Sequence, residues 1–206
     1  VFIFDGRPHE LKGDTLAERK QRKQEAKEKW TAAVEAEDWT TAHKLGAQVV
    51  EFRPEMVAGT QAMFDALGIA WIEAPMEAEG AAAVRGARGE LAGVASQDWD
   101  TLLYGAPVMI RNLLAHGTRR FGRPVRAERV YLQELLEEHG LTHEQLVDLG
   151  IMIGTDFHPG VKGIGPKTGL KLIREHGTIE EVCQAKDKDV PERLDEIRQL
   201  FLAHPT

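Results

Sequence analysis

Short apolar runs alternate along this chain with longer stretches whose apolar positions recur at helical spacing. Residues 1–4, Val-Phe-Ile-Phe, are continuously apolar, the pattern of a strand buried on both faces of a parallel sheet, and Asp5-Gly6 ends it. Thr15-x-x-Glu18 reads as a capping box opening a long charged helix to about Ala36. Glu37-Asp38 makes a turn, and a second helix is expected from about Thr40 to Phe52. Pro54, suited to a first helical turn, opens a third helix that Gly68 closes. Strands are expected over 69–72, 91–96 and 107–114, the last with a hairpin partner near 119–122, and a helix over 76–86. From about residue 127 onward only helices are expected: 130–139, 143–153 behind the cap Thr142-x-x-Gln145, 166–175, and one capped by Thr178-x-x-Glu181. Strand–helix alternation followed by helices predicts a doubly wound, mainly parallel α/β core over 1–126 and a helical module over 127–206.

Bulk properties narrow the class. The 206 residues are 42% hydrophobic and 29% charged, as in a globular protein, and no apolar run reaches the roughly 18 residues that span a bilayer. The single cysteine, Cys183, excludes an internal disulfide framework. A formal charge of −7 argues at first against a nucleic-acid partner, but its distribution matters more than its sum. Two divalent cations would bring −7 to −3, with acid concentrated at one place and base free elsewhere.

The acid is concentrated in four motifs at strand ends and helix starts: Asp5 in V-F-I-F-D-G, Glu77 and Glu79 in A-P-M-E-A-E, Asp98 and Asp100 in A-S-Q-D-W-D, and Asp156 in I-G-T-D-F. In open α/β sheets ligands bind outside the carboxyl ends of the strands, where Asp5 and the Asp98/Asp100 pair are expected. An E-x-E pair within a helix points its members to opposite faces, so Glu77 and Glu79 converge only if Glu77 stands at the helix entrance, which Ala74-Pro75 favours. A loop leaving a strand does the same for Asp98 and Asp100. Hard oxygen donors without His or Cys favour Mg²⁺ or Mn²⁺ over zinc, and this many carboxylates suits a two-ion phosphodiester site. The bland alternative is a set of solvated loop acids.

Base gathers in two places. Lys12, Arg19, Lys20, Arg22, Lys23, Lys27 and Lys29 follow Asp5, with Arg19, Lys23 and Lys27 on one helix face. That stripe either grips phosphates or is a solvated face laced by Glu18–Arg22 and Glu25–Lys29 pairs. G-V-K-G-I-G-P-K-T-G joins two helices through Gly160, Gly163 and Gly165, with Lys162, Lys167 and Lys171 nearby. It reads as a helix-hairpin-helix clamp on a DNA backbone, since glycines permit close approach and a helix opening at Pro166 presents its N–H groups. A plain helix–turn–helix corner is the alternative.

With these motifs assembled, the chain resembles the flap endonucleases of the structure-specific 5′-nuclease superfamily, which also holds the XPG-type repair nucleases. The resemblance runs from Val1 to about Pro205 through V-F-I-F-D-G-R-P-H-E-L-K, L-G-I-A-W-I-E-A-P-M-E-A-E, A-S-Q-D-W-D-T-L-L-Y-G-A-P, G-I-M-I-G-T-D-F and G-V-K-G-I-G-P-K. It implies a PIN-like core and a Mg²⁺-dependent nuclease that cuts 5′ flaps by a two-metal mechanism in replication and repair. Asp5, Glu77 and Glu79 match ligands of one ion, Glu77 through water, and Asp98, Asp100 and Asp156 those around the second. Lys12 and Arg19 match a basic pair that contacts the scissile phosphate. Residues 13–50, with Arg22, Lys23 and Lys27, match a helical arch through which the flap threads. Phe157 matches an aromatic near the active site, and the 160–165 hairpin a helix–two-turn–helix element, near 150–176, that binds K⁺ and duplex DNA. The compact arch looks archaeal, so a cytoplasmic monomer is expected, or a nuclear one if eukaryotic. An N-terminal segment with a seventh carboxylate ligand and a tail that binds a sliding clamp are expected in the parent and lie outside this sequence. The competing class is a non-catalytic DNA-junction scaffold.

Overall fold

The computed structural model describes every residue except Phe52, His116 and Phe121, and at Asp14 and Arg120 the backbone alone. Two compact units are seen: Val1–Phe2 with His9–Trp71, and Ile3–Pro8 with Ile72–Thr206. Strands β1 (Phe2–Phe4) and β2 (Trp71–Glu73) pair. Phe2 N–H donates to the Ala70 carbonyl and Ala74 N–H to that of Phe4, so both strands run the same way. Contrary to the expectation of a fully buried strand, Val1 and Phe2 are 61% and 52% exposed.

In the first unit a 3₁₀ turn (Glu10–Lys12) leads into α1 (Gly13–Glu35), followed by α2 (Trp39–Gly46) and α3 (Pro54–Leu67). The expected capping box does not stand at the helix start: α1 begins before Thr15, with Lys12 at the N-cap and no capping bond from its side chain. α1 is charged nearly all round and, among its described side chains, buries only Ala26 and Ala33. Its stability comes from packing along α2 and from one-turn side-chain pairs such as Arg22–Glu18 at 2.9 Å. Asp38 caps α2 by accepting from Thr41 N–H at 3.1 Å, and that bond holds its carboxyl below the ordinary value. α2 ends at Gly46, short of the expected Phe52, which lies outside the described residues. Pro54 begins α3 and Gly68, left-handed at φ 67°, ends it. Phe64 of α3 is buried against Phe2, ring centroids 4.4 Å apart.

The second unit carries strands β3 (Val94–Ala95), β4 (Val108–Arg111) and β7 (Glu128–Tyr131) in one sheet. β3 and β4 are parallel, with Val94 opposite Met109, and β4 and β7 antiparallel, with Val108 opposite Tyr131. The partner of β4 is therefore β7, not the expected segment near 119–122. Within that segment β5 (Arg119–Arg120) pairs with β6 (Arg123–Pro124) as a separate hairpin. The sheet is short and mixed rather than extensively parallel, but the architecture is α/β.

Helices α4 (Ala78–Ala87), α5 (Asp100–Leu103), α6 (Leu132–His139), α7 (His143–Ile153), α8 (Pro166–His176), α9 (Ile179–Ala185) and α10 (Leu194–Leu202) complete the unit. Both capping boxes read from sequence are present, Thr142–Gln145 on α7 and Thr178–Glu181 on α9. α7 is central and packs on α5, α8, α9 and α10. Met109, Val147, Ile151, Met152, Ile173, Ile179, Val182, Ile197 and Phe201 form its core. Asp148 is buried on α7 and takes a two-pronged ion pair from Arg198 of α10, whose other prongs hold Glu180 of α9. α10 and the four-residue α5 are elements that the sequence pattern did not predict.

Candidate metal centre

Four segments of the second unit bring the acidic residues forward. Gly6 explains how the first arrives. A Cβ there would stand 1.8 Å from the Ala74 carbonyl oxygen, so only glycine lets the chain leaving β1 lie on the segment leaving β2. Gly6 N–H donates to the Met76 carbonyl at 2.7 Å. Asp5 is thereby placed to accept from Ala78 N–H at 2.9 Å, capping the first turn of α4.

Glu77 is the N-cap residue of α4, extended at φ −73° and ψ 131°, and Glu79 lies in the first turn. The helix-entrance geometry required of the E-x-E pair is present. Gly80, Ala81, Ala82 and Ala83 are all buried, so α4 sits close to its neighbours through small residues and holds both glutamates at its half-buried start.

β3 ends at Ala95 and the chain turns through Ser96 to α5. Ser96 is a hinge among the acids: its hydroxyl donates to Glu79 Oε1 at 3.2 Å and accepts from Asp98 N–H at 3.1 Å. Asp98 Oδ1 accepts from Asp100 N–H at 3.0 Å, so the first acid of D-x-D caps the helix that the second begins. His143 Nε2 meets the Leu102 and Leu103 carbonyls at 3.2 and 2.9 Å and fixes the far end of α5. Asp156 follows α7 in a tight turn where Thr155 and His158 pair, and Phe157 beside it is buried.

Electrostatics show which acids face one another. Burial pushes the Glu79 carboxyl above its ordinary value; the charges of Asp5 and Asp98 push it further, against its own N–H and the Ser96 hydroxyl. Tyr104, buried beneath α5, has its hydroxyl pushed up by burial and by the negative charges of Glu77, Asp100, Glu79 and Asp156. Each of the six sequence-predicted carboxylates is thus Glu79 itself or within electrostatic reach of Glu79 or Tyr104. Among the described residues no three such donors already stand close enough to enclose an ion. The donor set is nonetheless of one kind, hard oxygen, which by its chemistry suits a divalent cation.

The other predicted residues divide by place. Lys12 ends the 3₁₀ turn and Arg19, Arg22, Lys23 and Lys27 lie on α1, in the first unit. Lys27 pairs with Glu51 at 3.1 Å, and Glu25 accepts from Gln21 rather than from the expected Lys29. The glycine hairpin joins α7 to α8. Gly160 and Gly163 hold φ of 90° and 84°, and Gly165 is the N-cap of α8. A Cβ at Gly160 would meet the Ile153 carbonyl oxygen at 2.5 Å. Lys162 and Lys167 are exposed around it. Sequence reasoning passed over Ser96, which stood inside a quoted motif, and Tyr104 and His204, whose neighbours are set only by the fold.

An α/β core carrying these acids is similar in sequence and structure to known nucleases. The XPG I-region family model matches residues 68–156, which hold five of the six acids. Beyond that region, the chain is similar over its whole length to flap endonucleases of the XPG type. It is 40% identical over 208 residues to the Flap endonuclease 1 of Methanoculleus marisnigri, covering 100% of this chain and 62% of that protein. Among solved structures it is similar to flap endonuclease-1 from Methanococcus jannaschii, with 35% identity and a TM-score of 0.68 over 98% of this chain and 61% of that one. The catalytic core of Rad2, solved with a DNA substrate, shares the fold at 22% identity and a TM-score of 0.64, over 97% of this chain and 57% of that one. The chain spans about three-fifths of the length of the curated relatives it matches.

Proposed function

We propose that this chain is the greater part of a structure-specific 5′ nuclease that hydrolyses DNA phosphodiesters at the base of 5′ flaps, with 5′–3′ exonuclease action at the same site. What supports this reading is that six carboxylates from four segments lie within electrostatic reach of Glu79 or Tyr104, with Asp5, Glu79 and Asp98 held by the Ala78 amide, the Ser96 hydroxyl and the Asp100 amide. The family and the flap endonuclease relatives supply the substrate class.

Asp5, Glu77 and Glu79 would hold one Mg²⁺ or Mn²⁺ and Asp98, Asp100 and Asp156 a second. Divalent ions in such a site acidify water and neutralise charge that builds on the phosphate oxygens. The protein's own part is orientation. The Ala78 amide holds Asp5, Ser96 holds Glu79, and Asp98 orders the amide of Asp100. Lys12 and Arg19 would contact the scissile phosphate, and Arg22, Lys23 and Lys27 the strand passing the 13–50 arch. The hairpin with Gly160, Lys162, Gly163, Gly165 and Lys167 would hold duplex DNA through its backbone, its positive-φ glycines suiting K⁺ held by turned carbonyls. Phe157 serves from beneath, as a packing residue next to Asp156. The whole protein would act as a monomer in the cytoplasm and engage a sliding clamp.

Asp98→Ala tests the reading on a 5′-flap substrate with Mg²⁺. Cleavage is expected to vanish while flap binding persists. A variant that cut at the parent rate would refute the assigned site, and a parent that bound flaps without any Mg²⁺-stimulated cutting would leave the non-catalytic scaffold standing instead.

A further inference from the structure

Beyond α10, the chain folds back under the acidic cluster. Phe201 is 1% exposed and His204, two residues past the helix, is 6% exposed. Both rings meet Tyr104: Phe201 tilted at 4.9 Å between centroids, His204 edge-on at 5.0 Å. Phe201 also meets Phe157 edge-on at 5.5 Å. The face of the His204 ring lies on Gly80, where a Cβ would come within 2.5–2.6 Å of Cδ2, Cγ and Nε2. Each surface touched is next to a candidate ligand. Gly80 follows Glu79, Tyr104 is one helical turn past Asp100, and Phe157 follows Asp156.

Hydrogen bonding does not explain this residue. Among the described residues neither His204 ring nitrogen has a hydrogen-bond partner of good geometry, although both are shut away from solvent. Burying an imidazole in that way is unfavourable, so its contribution lies in its shape. A flat ring fits between a glycine, which offers no side chain, and the edge of Tyr104. A wedge there fixes how far α4 stands from α5, and hence how far Glu77 and Glu79 stand from Asp100. We propose that His204 is a positioning residue for the carboxylate cluster, setting the spacing of its metal ligands from behind. This rests on the metal reading of those carboxylates.

Mn²⁺ titration of the chain, followed by the electron paramagnetic resonance of the free ion, provides the test. His204→Ala is expected to weaken Mn²⁺ binding roughly tenfold, the scale seen when the groups supporting metal ligands are removed. Val182→Ala serves as the stability control, because α9 packs on α7 and α8 and bears none of the acids. It should lower the melting temperature while leaving Mn²⁺ affinity within about twofold of the parent, a change far smaller than a supporting-group loss. Gly80→Ala should weaken binding by displacing the ring, and should add nothing when His204 is already Ala. It also carries the test if His204→Ala does not fold. Unchanged affinity in both variants, or a loss that only tracks melting temperature as in Val182→Ala, overturns the proposal. A parent chain that binds no Mn²⁺, or an Asp98→Ala variant that binds it fully, would overturn the metal reading itself, and the proposal with it.

Discussion

Arg198→Met removes the guanidinium that ties α10 to α7 and α9, and so tests what holds the C-terminal seat under the acids. Arg198 Nε and Nη2 donate to Asp148 Oδ1 and Oδ2 at 2.6 and 2.7 Å, and Nη1 and Nη2 to Glu180 at 2.6 Å each. Exposure decides which of these bonds matter. The Asp195 contact, 3.4 Å long on a side chain 95% exposed, contributes next to nothing. Glu180, 44% exposed, contributes modestly after solvent screening. Asp148, 6% exposed, would keep only the Ile179 amide at 3.1 Å and become a buried charge without a counter-ion. Stranding a buried charge costs about 3–5 kcal/mol, which lowers the melting temperature of a chain this size by roughly 6–20 °C. Acid sharpens the test. The Arg198 bonds hold the Glu180 carboxyl below its ordinary 4.5, so they stabilise the fold above that pH. That stability is lost as pH falls through the lowered value, and the variant should lose less than the parent on acidification. Urea denaturation at pH 7 and near pH 3.5 reads both effects. Adding Asp148→Asn to Arg198→Met should recover most of the loss by removing the stranded charge. A loss below about 1 kcal/mol at pH 7, or no recovery in the double variant, would refute the reasoning.

Other outcomes follow from the same structure. Glu79→Gln keeps the Ser96 contact and removes a half-buried charge repelled by Asp5 and Asp98, so the metal-free chain should gain about 1 kcal/mol, seen as a melting temperature raised by roughly 2–4 °C. The same variant should lose the stabilisation that added Mn²⁺ gives the parent. Ser96→Ala releases Glu79 and the Asp98 amide together, and Mn²⁺ affinity measured by titration should fall about tenfold. Gly160→Ala must place a Cβ 2.5 Å from a carbonyl oxygen at φ 90°, so it should destabilise by at least about 1–3 kcal/mol in denaturant titrations and weaken duplex binding. Flap affinity should drop steeply between roughly 50 and 200 mM salt, about one power less steeply for each of Lys162 and Lys167 changed to Ala.

Much of this chain was legible from its residues because the signals are local. The capping boxes of α7 and α9, Pro54 and the left-handed Gly68 and Gly140 act within a few residues of themselves, and the helices they bound form where expected. The acids stood out because carboxylates at strand ends and helix starts have no packing purpose, and each is Glu79 or lies within electrostatic reach of Glu79 or Tyr104. The misplaced features depend on distant partners. β4 could not announce that its neighbour is β7 rather than the nearer 119–122, since sheet pairing is decided by which edges meet. Val1 and Phe2, apolar as any buried strand, lie exposed at the start of a two-stranded sheet.

By itself the sequence determined the chemistry: which donors are present, that they are hard oxygens, and which helix starts carry them. Tertiary structure alone decided that Gly6 must be glycine because the Ala74 carbonyl passes 1.8 Å from its missing side chain. It decided too that Ser96 links two acid-bearing segments, and that a histidine 124 positions beyond Gly80 fills the space Gly80 leaves. Side-chain chemistry is a property of single residues, whereas spacing between ligands belongs to the elements packed behind them, and no local pattern encodes it.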